Sequence, residues 1–277
     1  MTTIELQAYL RRIGVAENIE NSLESLKTLH LEHPKYITFE NIDSFTGIVP
    51  LIDNSSIFKK LVENQRGGYC YEQNILFKDV LETLGLAPKL HLARVVWSSR
   101  DGSATARSHM LLTVEINSKK YLADVGFGSM TLNAPLAFEL DTEQSTPGGI
   151  FRLKLIDNFY QLEVLKTEWL PIYKFSLEEV HHTDLQMANW YIATGPESMF
   201  NKSLMITRVD ENARYAIFNK GFNLRKNDGT KESEEITSAT QLNNLLMDHF
   251  NLNISDSLTT SIFEKFEVIQ NQIKIIQ

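Results

Sequence analysis

The apolar residues of this chain change their period along its length, and that change limits the folds open to it. Over residues 1–85 they recur at helical spacing. Leu6, Leu10 and Ile13 share one helix face, Thr2 with Glu5 forms a capping-box pattern, and Gly14 is a stop signal. Leu23, Leu26 and Leu29 carry the helical reading from Asn21 to His30, and Pro34 is expected to break it. From Pro88 to about Phe175 the period is two. Strands are expected over Leu90–Trp97, Met110–Ile116, Tyr121–Val125, Ile150–Ile156 and Tyr160–Leu165, with a loop from Asp141 to Gly149. Ser176–Thr194 reads as helix again, with Thr183 and Gln186 as a second capping-box match. Strands come next near Leu204–Val209, Arg214–Phe218 and Phe222–Leu224, then helices from about Ser238 and Ser257. Helices first and strands later predict an α+β fold rather than a repeating βαβ one.

A chain of 277 residues with 43 % apolar content can bury a sizeable core. Its 27 basic and 35 acidic residues leave a net charge of −8, so no nucleic-acid or anionic-lipid partner is expected. No apolar run approaches the roughly 18 residues of a membrane span, and Glu5 interrupts any secretory-signal reading of the N-terminus. A cytoplasmic location fits best. Cys70 is the only cysteine, which excludes an internal disulfide and a Cys-rich metal site.

The segment Arg66-Gly67-Gly68-Tyr69-Cys70-Tyr71-Glu72-Gln73-Asn74 carries the chemistry. After it, Leu76, Phe77, Val80, Leu81 and Leu84 lie at helical spacing, and Gly85 ends the run. Cys70 is therefore placed in the first turn of a helix, delivered by a flexible Gly-Gly turn. Unpaired N–H groups and the positive end of the dipole at that position favour a thiolate, and the same groups can form an oxyanion hole. The plainer alternative is a small buried hydrophobe.

A nucleophilic thiolate needs a base and an orienter. Of seven histidines, His30, His33, His91, His181, His182 and His249 read as structural or surface residues. His109 differs because it opens a hairpin pattern that ends near an aspartate. His109–Ile116 reads as a strand, Asn117 to Lys120 as a turn, and Tyr121–Gly126 as the returning strand. A two-residue loop at Asn117-Ser118 pairs Ile116 with Lys119 and sets Asp124 opposite Leu111. His109 is then its diagonal neighbour, with Cβ atoms about 7 Å apart. A three-residue loop would put the two on opposite faces. The spacing permits a His109–Asp124 hydrogen bond without requiring it.

Together these segments resemble the arylamine N-acetyltransferase family. Arg66 to Asn74 is similar to its R-G-G-x-C block, His109 with its strand to its histidine block, and Tyr121 to Ser129 to its aspartate block. Thr28 to Ile42 resembles L-x-x-x-H-x-x-x-I-P-F-E-N, with Thr38 where proline is usual. Pro196 to Phe200 resembles S-P-x-S-x-F, with Gly195 for the first serine. The resemblance implies a helical bundle over 1–85 carrying the nucleophile, an antiparallel β-barrel over 86–195 carrying His and Asp, and an α/β lid over 196–277. It implies a cysteine-protease-like core of Cys70, His109 and Asp124, acetyl-CoA as acyl donor and no metal. Thr105, Ala106, Ser108, Gly126 and Gly128 become candidate cofactor contacts, the first three from the loop Ser103 to Ser108. Phe39, Val95 and Phe127 become candidate walls for an amine ring. Arg66 and Glu40 are expected to form a structural pair.

The implied reaction moves an acetyl group from acetyl-CoA through acetyl-Cys70 to an arylamine or arylhydrazine, with ping-pong kinetics. Three alternatives use the same residues: an amide synthase of macrocycle biosynthesis, a cysteine hydrolase or transglutaminase-like enzyme, and a non-catalytic CoA- or aromatic-binding module. A monomer or weak homo-oligomer is expected.

Overall fold

Thr2 and Glu5 cap one another: the Glu5 N–H donates to Thr2 Oγ1 at 3.2 Å, and the Thr2 N–H donates to the Glu5 carboxylate at 2.6 Å. Helix α1 (Thr3–Arg12) starts there, and Gly14 stands just beyond it in the left-handed region. The computed structural model describes residues 1–97 and 105–276. Helix α2 (Leu23–Tyr36) runs through Pro34, contrary to the expected break. Pro34 stands within three residues of the helix end, where its missing N–H costs one ladder bond at most, and the Ile37 N–H still reaches the His33 carbonyl at 2.8 Å. His30 and His33 therefore lie inside a helix and are fully buried.

Strand β1 (Phe39–Glu40) and helices α3 (Ile42–Phe45) and α4 (Asn54–Phe58) come next, then a π-helical turn over Lys59–Glu63 and helix α5 (Cys70–Thr83). Strands β2 (Lys89–Val95), β3 (His109–Ile116), β4 (Lys119–Ala123), β5 (Leu136–Ala137), β6 (Gln144–Thr146), β7 (Gly149–Ile156), β8 (Phe159–Leu165) and β9 (Trp169–Phe175) form one antiparallel sheet. Its order is β5-β4-β3-β2-β9-β8-β7-β6. The two edges nearly close into a barrel. The Gln144 side-chain amide bridges them, accepting from the Ala137 N–H at 2.7 Å and donating to the Ala137 carbonyl at 2.9 Å. Phe151, Leu153, Leu162, Val164, Tyr173 and Phe175 fill the interior.

Helix α6 (His182–Thr194) leaves the barrel. Its cap is Asp184, whose carboxylate accepts from the His181 N–H at 2.9 Å, so the Thr183–Gln186 pattern does not start it. After helix α7 (Met199–Lys202) come strands β10 (Met205–Val209), β11 (Ala213–Phe218), β12 (Gly221–Lys226) and β13 (Lys231–Glu235), then helices α8 (Ala239–Phe250) and α9 (Asp256–Ile276). These four strands and β1 form a second antiparallel sheet, order β1-β10-β11-β12-β13. Ile206, Ile217, Phe222 and Leu224 on one face pack with Leu242, Leu246, Phe250, Ile262 and Phe266 of α8 and α9. Strand β1 is the joint of the molecule. Phe39 pairs with Thr207 of β10 and bridges to Gly68 of the turn that delivers Cys70. Thr38, where proline is usual, is buried and donates its hydroxyl to the Phe250 carbonyl, a bond proline cannot make.

Under α5 lies a chain of buried polar groups. The Tyr9 hydroxyl meets His33 Nδ1 at 2.8 Å, and His33 Nε2 meets the Gln73 carbonyl oxygen at 2.5 Å. Gln73 Nε2 in turn donates to the carbonyls of Thr38 at 3.0 Å and Gly68 at 3.1 Å. Burial pushes His33 down to about 3 and His30 and His91 to about 4, so all three are neutral in the folded state. Unfolding returns them to ordinary values near 6.5. The unfolded chain then binds more protons below that pH, and stability is lost as pH falls from about 6.5 toward 4. Glu72, pushed up to about 7 by burial, works in the opposite sense, as does His109 with its raised pKa, and together they offset only part of the effect of the three neutral histidines. The unfolding free energy from urea titration is therefore expected to fall between pH 6.5 and 5, by on the order of 2 kcal/mol per pH unit, and the midpoint with it. A midpoint that stays level across that range would contradict the assignment of neutral buried histidines.

Candidate active site

Cys70 is the first residue of α5 and is 3 % exposed. The turn before it is tight rather than flexible: both glycines are buried and neither has positive φ. A Cβ on Gly68 would stand 2.7 Å from a Glu72 carboxylate oxygen, and one on Gly67 would overlap the Thr38 carbonyl. The requirement is close backbone approach. Glu72 caps the helix by accepting from the Tyr69 N–H at 3.1 Å, and Lys60 holds its other oxygen at 2.7 Å. Lys60 also pairs with Asp43 at 2.6 Å, and Arg66 pairs with Glu40 at 2.7 Å and Asp43 at 3.0 Å. The Arg66–Glu40 pair thus sits in a half-buried network of charges that fixes the approach to Cys70.

The β3–β4 hairpin has the two-residue loop. Ile116 pairs with Lys119 and Leu112 with Ala123, while Asn117 and Ser118 both take positive φ, at 50° and 61°. Asp124 comes directly after β4 and lies diagonal to His109. His109 Nε2 stands 2.7 Å from Asp124 Oδ2. The other imidazole edge faces Cys70, whose Sγ lies 3.8 Å from the Ser108 carbonyl oxygen. Burial disfavours a charged His109, but the Asp124 charge and hydrogen bond, joined by Cys70, outweigh it and raise the imidazole to about 10. Asp124 has no exposed surface. Burial alone would raise it, and the His109 charge with bonds from His109, Asn74 and Gly126 holds it below its ordinary value.

Asn74 joins the three elements, a role that sequence reasoning missed. It stands one turn after Cys70 on the same face of α5. Its Nδ2 donates to the Met110 carbonyl at 2.7 Å and to Asp124 Oδ1 at 3.0 Å, and its Oδ1 accepts from the Val125 N–H at 3.1 Å. The C-x-x-x-N spacing is the one signal that points to it. His30 supports the same aspartate from beneath, its Nε2 accepting from the Asp124 N–H at 3.0 Å. Tyr173 is a further buried neighbour, its ring 5.0 Å from that of His109.

The remaining predicted residues fall into separate groups. Gly126 donates its N–H to Asp124 Oδ1 at 3.0 Å, and a Cβ there would stand 2.9 Å from Cys70 Cα. Gly128 has φ +81° and lies against Phe39 and Thr207. The Phe127 ring meets the His109 imidazole edge-on at 5.0 Å, whereas Phe39 packs on Phe200 at 6.3 Å. Val95 pairs with Tyr173 and accepts the Thr105 hydroxyl at 2.9 Å, so both are held within the barrel rim. Ala106 is exposed and lines a cavity of about 770 Å³ with Leu92, Arg107, Val180, Trp190 and Tyr191. Ser108 adjoins Cys70 through its carbonyl. Ser103 and Ala104 lie outside the described residues. No helix among the described residues is long and apolar enough to cross a membrane.

A family profile described as N-acetyltransferase matches residues 22–259. The arylamine N-acetyltransferase of Mycolicibacterium smegmatis is 34 % identical over 259 residues, 91 % of this chain and 94 % of its own. The solved structure of arylamine N-acetyltransferase from Salmonella typhimurium superposes with a TM-score of 0.89 at 30 % identity, over 95 % of this chain and 98 % of that one. That of Mycobacterium marinum in complex with CoA superposes with a TM-score of 0.87 at 32 % identity, over 93 % and 98 %. Similarity of this extent in both sequence and fold makes the chain a member of the arylamine N-acetyltransferase family, and so an acyltransferase.

Proposed function

We propose that this chain transfers an acetyl group from acetyl-CoA to the nitrogen of arylamines or arylhydrazines, through an acetyl-Cys70 intermediate and by a ping-pong sequence. The observation that carries this reading is a single contact chain: Cys70 at a helix N-terminus, His109 beside it, and Asp124 at 2.7 Å behind His109. In this reading residues 1–85 present the nucleophile, residues 86–195 the base and its orienter, and residues 196–277 cover them.

Asp124 accepts from His109 Nε2–H, which leaves Nδ1 to take the thiol proton of Cys70. The thiolate attacks the thioester carbonyl. Negative charge on that oxygen falls near the first-turn N–H groups of α5, which have no intrahelical partners. The C–S bond to CoA breaks, and the CoA thiolate recovers the proton from Nδ1. One thioester replaces another, so this half-reaction is nearly balanced in energy. An amine then attacks acetyl-Cys70, Nδ1 accepts its proton, the C–S bond to Cys70 breaks, and the N-acetyl product leaves. Phe127, packed edge-on against His109, is placed to flank an aromatic acceptor. Acetyl-CoA as donor is supported by the CoA complex of the Mycobacterium marinum relative.

Cys70→Ser is expected to abolish N-acetyl product formation while leaving the unfolding midpoint within a few degrees of the parent. Asp124→Asn keeps the shape but offers His109 the wrong tautomer, and a loss in kcat on the order of 10⁴ is expected. Product formation by either variant at more than a few per cent of the parent rate would overturn the roles assigned here.

Asn74→Asp sets a carboxylate oxygen against Asp124 Oδ1 in place of the N–H now 3.0 Å away. Like charges disfavour ionised Asp124, so its pKa rises. The acidic limb of the kcat/KM profile is expected to move to higher pH, with a loss of about 100-fold at neutral pH, on the scale of one lost charge-assisted bond. An unmoved acidic limb would show that Asn74 does not act on Asp124.

A further inference from the structure

Asp124 stands where β4 ends and the chain leaves the sheet. The last pair between β3 and β4 is Leu112 with Ala123, so the amides that follow lie beyond the ladder. Buried amides need partners, and here three in a row find them on side chains. The Asp124 N–H donates to His30 Nε2 at 3.0 Å, the Val125 N–H to Asn74 Oδ1 at 3.1 Å, and the Gly126 N–H to Asp124 Oδ1 at 3.0 Å. Asn74 is on the helix of the nucleophile, and Asp124 belongs to the site itself. His30 is the outlier: it reaches in from α2, 94 residues away in the chain.

This contact fixes the state of the imidazole. A ring nitrogen that accepts from an amide carries no hydrogen, so the one proton of the neutral ring sits on Nδ1. His30 has no exposed surface, and its Nδ1 meets no hydrogen-bond partner among the described residues. Its ring stands edge-on to Phe77, with centroids 5.8 Å apart. An unpaired buried donor is destabilising, and an apolar side chain of similar size would carry no such donor. What the histidine supplies in exchange is the acceptor at Nε2. Few groups could replace it beside Asp124. A carboxylate there would add a second negative charge and disfavour ionised Asp124, and a charged imidazole would turn an N–H toward the Asp124 N–H. A neutral imidazole accepts the amide and adds no charge. Burial holds His30 at about 4, so the ring has that form at neutral pH.

We infer that His30 is a positioning residue for acetyl transfer: by holding the Asp124 amide it sets the direction from which Oδ2 meets His109 Nε2. This inference rests on the acetyl-transfer reading of Cys70, His109 and Asp124. The Asp124 carboxylate is held at its tip by His109, Asn74 and Gly126, and its amide is held by His30. With both ends tied, the carboxylate has one place to stand. Without the His30 acceptor the Asp124 N–H is buried and unpaired, and the backbone shifts to find it another partner. That shift carries Oδ2 away from its 2.7 Å contact with His109. The step that suffers is proton transfer through His109. Donor binding is spared, because His30 is fully buried beneath the site.

The test compares the parent with His30→Leu, which removes the acceptor at similar volume, and His30→Gln, whose Oε1 replaces Nε2 as acceptor. Single-turnover acetylation of Cys70 by acetyl-CoA is the readout of rate. In His30→Leu the limiting rate is expected to fall about 30-fold or more, the scale of a misplaced catalytic group, with half-saturation within about twofold of the parent. His30→Gln is expected to keep at least about a third of the parent rate. In proton NMR spectra the downfield resonance of the His109–Asp124 hydrogen bond should move or vanish in His30→Leu and persist in His30→Gln, a split that a packing role does not produce. Nitrogen NMR of the parent should find His30 neutral with its proton on Nδ1. A proton on Nε2 would overturn the inference whether or not the variants fold. A His30→Leu rate within about threefold of the parent, equal losses in the two variants, or an unmoved His109 resonance beside a lost rate would also overturn it. Acetylation of Asp124→Asn as fast as the parent would instead overturn the acetyl-transfer reading itself, so the two failures are distinguishable.

Discussion

A carboxylate with no exposed surface must be surrounded by donors, and Asp124 finds them on separate elements. His109 on β3 supplies one at 2.7 Å, Asn74 on α5 another at 3.0 Å, and the Gly126 amide a third at 3.0 Å. His30 on α2 accepts the Asp124 N–H from below. Satisfying this one buried charge brings the N-terminal helices, the barrel hairpin and the glycine loop to a single point. Cys70 is carried there on the same helix as Asn74, one turn away. The arrangement is therefore held by the electrostatics of Asp124 as much as by apolar packing. Removing any donor leaves a buried charge short of partners, a larger penalty than the bond itself.

Beneath this point the support is neutral. His30 and His33 are held well below their ordinary pKa by burial; His33 spends both ring nitrogens, and His30 its Nε2, on the frame of the site rather than on charge. His33 reaches Gln73, and Gln73 holds the carbonyls of Thr38 and Gly68. Strand β1 then links that frame to the second sheet through Phe39 and Thr207. The nucleophile turn and the last sheet thus share one short strand. That is why a substitution such as Thr38 for proline is tolerated: its hydroxyl ties β1 to the end of α8.

Much of this is legible in the sequence, for reasons that can be named. The hairpin register stems from Asn117 and Ser118, where a two-residue loop fits the strand lengths on either side. Cys70 at a helix start comes from the apolar spacing after it. Pro34 misleads because it falls where a helix is about to end anyway. The glycine turn reads as flexible because sequence carries no record of what a Cβ would strike, here Glu72 and Thr38. Strand β13 escapes notice because Lys-Glu-Ser-Glu-Glu has no apolar face: it is an exposed edge strand. Strands β5, β6 and β9 are lost among loop signals, since two of them are very short and β9 carries Pro171. The roles of Asn74 and His30 depend on contacts across elements, which local periodicity does not report.

The central claim is that Cys70 carries the acetyl group between donor and acceptor. Intact-protein mass spectrometry tests it most directly, first with acetyl-CoA alone and then after addition of an arylamine. The account predicts one added acetyl group, located on Cys70 and absent from Cys70→Ser, which the amine removes with formation of its N-acetyl derivative. An unmodified protein, or an adduct lost to water equally fast with and without the amine, would contradict it.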